Sequence, residues 1–485
     1  MVNFLVFPNQ LYKYVKHLQN TTVYLIEEPR YFTDFKFHKL KLAYHRATMK
    51  KYYKYLKNKG LSVYYINYYK VSNKFYKKLI KASCIDIADY KLETKLKKLL
   101  DLTVLNNINF LIDLDEIQTL KQTIFKKNYS HSEFYKYMRK KYNILMKNDM
   151  PINNKWSYDR LNRLKLPDNI KIPKLINKLN KNKYIDEAKI YVEKYFPNNY
   201  GSLDNFIYPI DYKATKKWLN KFLKERLPNF GKYEDAIDTN NDFIFHSVLT
   251  PMLNIGLITD IDVINISDKH YHKYKNKNNI SIESYEGFIR QIIGWRNYVY
   301  VMYKLEGIKM INSNLLNNKY KSNKLYKKLW EGTTGILPVD TIITKIIKYG
   351  YIHHIERLMV LGNYMLLLLL HPKFVYKMFM EWSIDSYDWV MVPNVYGMSN
   401  YATDIMMTRP YFSSSNYILK MSNIKKNNVW EKIWDVLYYN FIYKHHNLFK
   451  NNYGVAMQVK HWDNKNINDK NEIIKMANKY IKSVL

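Results

Sequence analysis

The chain has 485 residues, a length that suits two or three domains better than a single core. A hydrophobic content of 47% and an aromatic content of 16% exclude general disorder. Lys and Arg number 78 against 42 Asp and Glu, so the net charge is +36. Such a field attracts polyanions, above all nucleic acid, although an AT-rich coding sequence also enriches Lys, Asn, Ile and Tyr together.

The chain has one cysteine, Cys84, which excludes disulfides and any cysteine-ligated zinc or iron–sulfur site within one chain. The apolar run at the N-terminus is too short for a signal peptide. The longest apolar run, around residues 365–370, falls short of the roughly 18 residues that a membrane span needs. We therefore expect a soluble intracellular protein of the cytoplasm or the nucleus, with no membrane association.

The N-terminal part alternates short apolar runs with helical patterns. Residues 4–7, 23–26 and 63–66 are typical of buried parallel strands, and a long basic helix is predicted from about residue 37 to 58, before Gly60. Two βα units in series predict a doubly wound, Rossmann-like α/β domain over residues 1–130. No GxGxxG motif follows the first strand, so the dinucleotide fingerprint is absent.

The rest of the chain is predicted to be a connector followed by helices. Pro151, Pro167, Pro173 and Pro197 punctuate a polar stretch, and we assign residues 131–204 to the connector. From residue 205 to 485 one helical pattern follows another, with little alternation of period two. The expected fold class is therefore α/β plus all-α.

Two segments of the helical part have candidate phosphate contacts. Thr250 before Pro251 is a good helix start, where free N–H groups and the hydroxyls of Ser247 and Thr250 can bind phosphate. An ordinary cap explains the same residues. Residues 286–298 predict a buried helix in which Trp295 and Arg296 are neighbours, and an arginine in that setting suggests a phosphate contact.

Residues 350–359 contain two adjacent histidines and an arginine among apolar neighbours. On a helix, His353 and Arg357 would share one face, and His354 would point about a quarter-turn away. Burying such a face without a partner is costly, so it suggests a pocket for an anion or a polar ring; the alternative is a pair of satisfied core histidines. Asp385 and the run 392–399, with Asn394, follow about thirty residues later.

Taken in order, these segments resemble the cryptochrome/photolyase family. The likeness rests on residues 230–236, 245–252, 286–298, 330–340, 350–359 and 389–399. It is strongest to the bacterial photolyase-related group of iron–sulfur (6-4) photolyases, which residues 35–42, 155–159 and 420–422 also match. The resemblance covers nearly the whole chain.

The resemblance implies a folded FAD in the helical domain. Its phosphates and ribityl chain would be held by four residues, Tyr233, Ser247, Leu249 and Thr250. Trp295 and Arg296 are further cofactor candidates. Arg357 and Asp385 would form an ion pair beside the isoalloxazine, and Asn394 would face its N5. A neighbouring cation and a hydrogen bond at N5 are the levers by which proteins tune a flavin.

The function implied is light-driven repair of UV-induced pyrimidine dimers in DNA. In the family, the excited reduced flavin passes an electron to a lesion flipped out of the duplex. We expect His353, His354 and Asn394 to be the catalytic residues. His354 stands where cyclobutane-dimer photolyases have Asn and (6-4) photolyases have His, and an imidazole of near-neutral pKa can give and retake a proton, so a (6-4) lesion is favoured.

Two departures from the family pattern concern the metal and the electron supply. Ile352 stands in place of the first cluster cysteine, and residues 423–439 contain none, so we expect no iron–sulfur cluster and no other metal. Trp430 and Trp434 are the candidates for holding the C-terminal helices instead. Met378 and Phe379 stand where an electron-relaying aromatic pair is expected, which leaves Trp330, Trp382 and Trp389 as another route.

The second chromophore is the least specific expectation. Relatives hold a lumazine in the N-terminal domain, and Glu28, His38 and Lys39 lie in matching segments for an antenna of lumazine or folate type, although a solvated helix face explains them equally well. We expect a monomer whose partner is UV-damaged DNA. Three alternatives stay open: a cyclobutane-dimer photolyase, a cryptochrome-like blue-light sensor without repair, and a flavin-free basic nucleic-acid-binding protein.

Overall fold

The first 105 residues build a five-stranded parallel sheet. The computed structural model describes residues 2–174 and 182–485. Its strands are β1 Val2–Val6, β2 Thr21–Ile26, β3 Ser62–Ile66, β4 Lys81–Ile85 and β5 Asp101–Leu105. Their order is β3-β2-β1-β4-β5, and each neighbouring pair is parallel. The order reverses at β1, as in doubly wound α/β domains, so the predicted fold class of this part is confirmed.

Helices alternate with these strands and continue beyond them. They are α1 Pro29–Phe32, α2 Lys39–Asn58, α3 Asn73–Leu79, α4 Tyr90–Leu99, α5 Leu114–Gln122 and α6 His131–Lys141. The predicted long basic helix is α2, and Gly60 follows it with a positive φ of 77°, which glycine adopts without strain. The predicted connector, residues 131–204, begins with α6 and continues with a hairpin of two-residue strands, β6 Met146–Lys147 and β7 Met150–Pro151. Residues 175–181 of that connector lie outside the described residues.

The remainder of the chain is largely helical, as predicted. Its helices are α7 Lys183–Tyr195, α8 Tyr212–Glu225, α9 Leu227–Phe230, α10 Thr250–Asn254, α11 Asp260–Tyr274, α12 Ile282–Ile289, α13 Asn297–Ile311, α14 Asn323–Glu331, α15 Leu337–Tyr349, α16 Asn363–Leu367, α17 Pro372–Trp382, α18 Asp388–Val392, α19 Ser415–Met421, α20 Trp430–Lys444, α21 His446–Phe449, α22 Ala456–Asp463 and α23 Ile467–Val484. None of the described helices is both long and apolar enough to cross a bilayer.

A buried carboxylate, Asp388, joins the sheet domain to the helices. Its side chain accepts hydrogen bonds from the hydroxyls of Tyr303 on α13 and Tyr376 on α17. Arg30 of α1 donates to it from Nη2 at 3.2 Å and also pairs with Asp89 at 2.7 Å. Asp388 is 2% exposed. Since three elements from both parts converge on one carboxylate, the two parts are fixed against each other here.

The C-terminal helices are held by aromatic packing. Trp430 and Trp434 of α20 are buried and meet edge to face with ring centroids 6.3 Å apart. The Trp434 indole N–H donates to the carbonyl of Ser413 at 3.0 Å, and its ring stacks on Tyr364. The hydroxyl of Tyr480, on α23, lies 2.9 Å from that of Tyr364. Trp434 therefore packs α20 against α16 and the segment at Ser413, whereas the ring contact of Trp430 lies within its own helix, and its role between helices stays a prediction.

Candidate functional site

Three π-helical turns mark the region that contains most of the predicted site residues. They span Arg290–Arg296, Glu356–Gly362 and Pro393–Ser399. Such turns widen a helix by one residue and occur often at functional sites. Trp295 and Arg296 lie in the first turn, Arg357 in the second and Asn394 in the third. The second and third pack closely, since a Cβ on Gly362 would lie 2.8 Å from the Cβ of Ser399.

Arg357 and Asp385 form a buried ion pair. The guanidinium Nη2 lies 2.9 Å and 3.0 Å from the two carboxylate oxygens, and its Nε donates to the carbonyl of Ile352 at 2.9 Å. The hydroxyl of Thr250 donates to the same carboxylate at 2.5 Å. Asn254 fixes the Asp385 backbone by donating to its carbonyl at 2.7 Å. Thr250, Arg357 and Asp385, all predicted site residues, are therefore together.

Helix α10 begins differently from the sequence expectation. Its first residue is Thr250, with Leu249 before it, and the Thr250 hydroxyl bonds Asp385 rather than capping its own helix. Val248 has a φ of +50°, and the left-handed region is strained for a β-branched residue. Strain of this kind clusters at ligand-binding segments, so the predicted phosphate-binding segment 247–250 has an independent structural sign of function.

The other predicted phosphate-clamp residues have structural partners in the described chain. Tyr233 is 9% exposed, and its ring packs on Phe245 at 5.7 Å between centroids. Leu249 is buried. Ser247 is half-buried, and its carbonyl accepts the indole N–H of Trp218 at 2.8 Å.

His353 precedes the helix instead of lying on it, because α15 ends at Tyr349 and Gly350 takes a positive φ of 60°. Its backbone N–H donates to Glu356 Oε2 at 3.2 Å. The other oxygen of Glu356 accepts from the buried ammonium of Lys345 at 2.7 Å. Glu356 and Lys345 were not anticipated, since sequence spacing does not show that two charges eleven residues apart are buried together.

The His353 imidazole stacks on that of His246, with ring centroids 4.1 Å apart. His353 Nε2 lies 3.6 Å from Glu356 Oε2, beyond hydrogen-bond distance, and neither ring nitrogen has a hydrogen-bond partner among the described residues, although both are buried. Burial, followed by the charge of Lys345, holds the pKa of His353 well below its usual range. A neutral, buried and unpartnered imidazole is what a polar ligand would satisfy.

The His354 side chain is exposed at the surface. Desolvation, followed by the charge of Arg357, lowers the pKa of His354 to about 4. The imidazole of the free protein is therefore neutral at pH 7, which differs from the near-neutral pKa expected from sequence. Its chain neighbour Ile355 belongs to an apolar cluster, whose other members are Leu358, Met359, Met398, Trp295, Met407, Tyr411 and Tyr417.

The remaining candidates, Trp295, Arg296 and Asn394, each make a different kind of contact. Trp295 is half-buried and stacks on His131 at 3.7 Å between centroids. Arg296 does not reach the phosphate segment with its guanidinium: Nε donates to Asp260 at 2.7 Å, and Nη1 donates to Asn254. Arg296 thus supports the residue that holds Asp385. Asn394 is half-buried and its amide N–H donates to Val390 at 2.7 Å within its own helix.

The antenna candidates have different partners within the protein. Glu28 is 1% exposed and is bound by the Tyr76 hydroxyl and by Lys95 at 2.8 Å. His38 accepts from the N–H of Leu40 at the start of α2, and Lys39 pairs with Glu193 at 2.9 Å. Two buried groups that sequence reasoning missed, the Tyr31 hydroxyl and His45 Nδ1, lack partners among the described residues. An antenna of lumazine or folate type stays a prediction.

The tryptophans predicted to supply electrons separate into two groups. Trp382 and Trp330 are buried and meet edge to face at 6.3 Å between centroids. Trp330 stacks on Tyr200 at 4.7 Å. Trp389 packs instead on Phe110, and the guanidinium of Arg296 lies 4.9 Å from its ring.

The donor set fits a flavin dinucleotide better than a metal. Ser399 Oγ, Trp382 Nε1 and Ser383 Oγ join the His353 ring nitrogens as buried polar atoms without partners in the described chain. Arg357 adds a cation suited to a negatively charged heterocycle. No group of three or more His, Cys, Asp or Glu side chains in residues 2–174 and 182–485 converges so as to hold a metal ion.

The chain matches two known families in its two parts. Residues 4–208 match the family described as deoxyribodipyrimidine photo-lyase-related protein. Residues 288–435 match the FAD-binding domain of DNA photolyase, the part that contains the three π-helical turns.

Individual proteins are similar over most of the chain. The (6-4) photolyase of Agrobacterium fabrum (strain C58) is 33% identical over 347 residues, which span 70% of this chain and 67% of that one. In fold, the chain is similar to a cryptochrome from Synechocystis sp. PCC6803, with a TM-score of 0.60 at 14% identity, over 99% of both chains. A bacterial class III photolyase from Agrobacterium tumefaciens gives a TM-score of 0.59 at 14% identity, over 100% of this chain and 97% of the other. The chain therefore belongs to the cryptochrome/photolyase family.

Proposed function

We propose that this protein is a FAD-dependent DNA photolyase that uses light to repair UV-induced pyrimidine dimers, with the (6-4) photoproduct as its preferred lesion. The observation that carries the proposal is the Arg357–Asp385 ion pair, which lies among three π-helical turns and beside two histidines. The similarity to a (6-4) photolyase over 67% of that protein supports it.

The flavin would be held by Thr250 and its neighbours on one side and by Arg357 and Asn394 on the other. Bound FAD in its reduced form supplies the electron that light mobilises. The Arg357 guanidinium stabilises negative charge on the ring system. Asp385 keeps that guanidinium in place from two oxygens, while Thr250 and Asn254 hold Asp385. His353, with two unpartnered ring nitrogens, would accept or donate one hydrogen bond to the ligand.

The lesion would bind against His354 and the apolar cluster around Met398. Extruded bases are commonly held between aromatic and apolar side chains, and Trp295 and Tyr411 are available there. A lesion has lost much of its stacking, so its extrusion costs less than that of a normal base. The net charge of +36 attracts the DNA backbone around the site.

One observation favours a second candidate, a cyclobutane-dimer photolyase. Desolvation and the charge of Arg357 lower the pKa of His354 to about 4, so the imidazole is uncharged in the free protein at pH 7 and would have to gain a proton before acting as an acid. Splitting a cyclobutane dimer needs an electron but no proton cycle, whereas a (6-4) photoproduct needs both. The two candidates share the flavin and differ in whether His354 gains a proton when DNA binds.

Two measurements test the proposal together. The purified protein should show the absorption of bound flavin, and illumination with an oligonucleotide containing one defined lesion should restore the undamaged bases. We expect repair of the (6-4) lesion at a higher rate than of the cyclobutane dimer. A flavin-containing protein that repairs neither lesion would be a light sensor, and a protein without flavin would leave only a basic nucleic-acid-binding function.

The Trp382–Trp330–Tyr200 contact series predicts how the flavin is photoreduced. We expect Trp330→Phe to slow light-driven reduction of oxidised flavin by about tenfold or more, because phenylalanine is much harder to oxidise than tryptophan. Repair by chemically reduced protein should be unchanged. Flavin absorbance followed under illumination with an external reductant checks this, with Trp389→Phe as the matched control outside the series. Equal slowing by both variants would contradict the route.

A further inference from the structure

Lys41 is a buried cation that the proposed repair reaction does not use. It is 1% exposed and lies in the first turn of α2, in the sheet domain. Its ammonium donates to the carbonyl of Ser386 at 2.5 Å and to that of Met380 at 3.3 Å. Within the described ranges, no carboxylate lies within ion-pair distance of it. A buried ammonium satisfied by backbone alone is costly and is seldom kept without a role.

The two carbonyls bound by Lys41 are the ends of one loop. We call residues 380–386, which comprise the end of α17 and the turn that follows it, the Asp385 loop, because Asp385 is the residue in it that pairs with Arg357. The segment before Lys41 holds the same loop: the N–H of His38 donates to the Glu381 carbonyl at 2.8 Å. The N–H of Lys36 donates to the Glu381 carboxylate at 3.2 Å. One short segment of the sheet domain therefore fixes a loop of the flavin domain.

We infer that Lys41 is a positioning residue for Asp385: its ammonium holds both ends of the Asp385 loop, so that the carboxylate meets Arg357 and Thr250, and its charge contributes to the potential at the flavin. The inference rests on the proposed flavin function. It assigns the segment 36–41, which includes two of the antenna candidates, to the flavin pocket of the other domain.

The groups that face Lys41 make its charge depend on pH near neutrality. Burial lowers the pKa of Lys41 to about 7. Asp385 opposes this shift, whereas Arg30 from α1 and Arg357 from the second π-helical turn add to it. His45, one turn further along α2, is kept neutral by its own burial and by the charge of Lys41. The rings of Phe37 and Tyr387 lie 4.6 Å and 5.2 Å from the ammonium.

The sign of the expected effect follows from these charges. Below about pH 7 the ammonium is charged, holds the loop and favours the anionic reduced flavin, so it raises the midpoint potential of the bound flavin. Above that pH the proton leaves, the neutral amine donates more weakly to the two carbonyls, and the potential falls by more than the flavin's own titration requires. A purely structural lysine would not produce this additional pH dependence.

The test uses Lys41→Met, which keeps most of the length of the unbranched side chain and removes its charge, on the flavin-loaded full chain. Lys54→Met, an exposed lysine on the same helix, is the matched control. Spectroelectrochemical titration from pH 6 to 8 should show the additional step near pH 7 in the wild type and in Lys54→Met. Lys41→Met should lack that step, have a more negative potential at pH 6 and bind flavin about tenfold more weakly.

Two results would overturn the inference. One is a Lys41→Met protein with the potential, pH profile and flavin affinity of the wild type. The other comes from hydrogen exchange of the flavin-free wild type, which needs no variant. We expect the peptide that covers the Asp385 loop to exchange faster at pH 8 than at pH 6 after correction for intrinsic rates. Equal protection at both pH values would contradict the inference while leaving the photolyase proposal intact. A wild type that binds no flavin would overturn the proposed function itself.

Discussion

We expect His354→Ala to abolish repair of (6-4) photoproducts while the protein stays folded and keeps its flavin. The side chain is open to solvent next to the apolar cluster around Met398, so its loss leaves no cavity in the core. A positioned general acid contributes about 10²–10⁴-fold to a rate, and we expect a loss of at least about 100-fold. Chromatographic quantification of restored thymines after illumination of a single-lesion oligonucleotide measures it.

The pH dependence of repair by the wild type also tests whether His354 donates a proton. In the free protein the pKa of His354 is lowered to about 4, and phosphates and the lesion must raise it when DNA binds. A histidine acid is protonated below its pKa, so (6-4) repair should fall as pH rises through the pKa of the complex. Cyclobutane-dimer repair should lack this limb. A flat profile for the (6-4) lesion, or retained repair in His354→Ala, would remove the proton-transfer role.

His354→Asn separates the chemistry from the shape of the side chain. Asparagine keeps a polar group of similar size but cannot give a proton at any pH in this range. We expect this variant to lose (6-4) repair as completely as the alanine variant and to keep the flavin spectrum of the wild type. Because Arg357 neighbours the site, a changed flavin spectrum would instead indicate that the substitution disturbed the ion pair with Asp385.

The strands that the sequence predicted are those with continuous apolar or aromatic runs, whether central, as β1 and β2, or at the edge, as β3, where Tyr64 is 55% exposed. Residues 4–7, 23–26 and 63–66 form continuous apolar runs, and each lies in or overlaps a strand of the sheet. Strand β5 alternates exposed and half-buried residues at the edge of the sheet, and β4 begins with an exposed lysine. In a single sequence, such a residue pattern cannot be distinguished from that of a loop, so these two strands were not predicted.

The candidate site was predictable by residue identity more than by geometry. The Arg357–Asp385 pairing that the resemblance implied is present in the structure. The π-helical turns were not predictable, because no residue type specifies one. Arg296 was assigned to a ligand from its charge and Glu28 from the resemblance, yet each has an ion-pair partner within the protein, Asp260 for Arg296 and Lys95 for Glu28. Only the fold shows which charges are paired across the chain.

The largest stability effect should come from Asp388→Ala. The substitution leaves the hydroxyls of Tyr303 and Tyr376 buried without an acceptor and removes one of the partners of Arg30. An unsatisfied buried polar group costs about 1–3 kcal/mol, and breaking a buried ion pair costs about 3–5 kcal/mol. Arg30 keeps Asp89 at 2.7 Å, so we expect the free energy of unfolding to fall by about 3–5 kcal/mol in all.

Urea unfolding followed by far-UV circular dichroism and by tryptophan fluorescence measures this change. Asp404→Ala, an exposed aspartate in the same half of the chain, is the control and should change stability by less than about 0.5 kcal/mol. Because Asp388 joins α1 to α13 and α17, its loss should also let the sheet domain unfold before the helices, so the two probes should give separate midpoints. A free energy of unfolding within about 1 kcal/mol of the wild-type value would mean that Arg30 and the two tyrosines find other partners. One midpoint shared by both probes would mean that other contacts hold the two domains together.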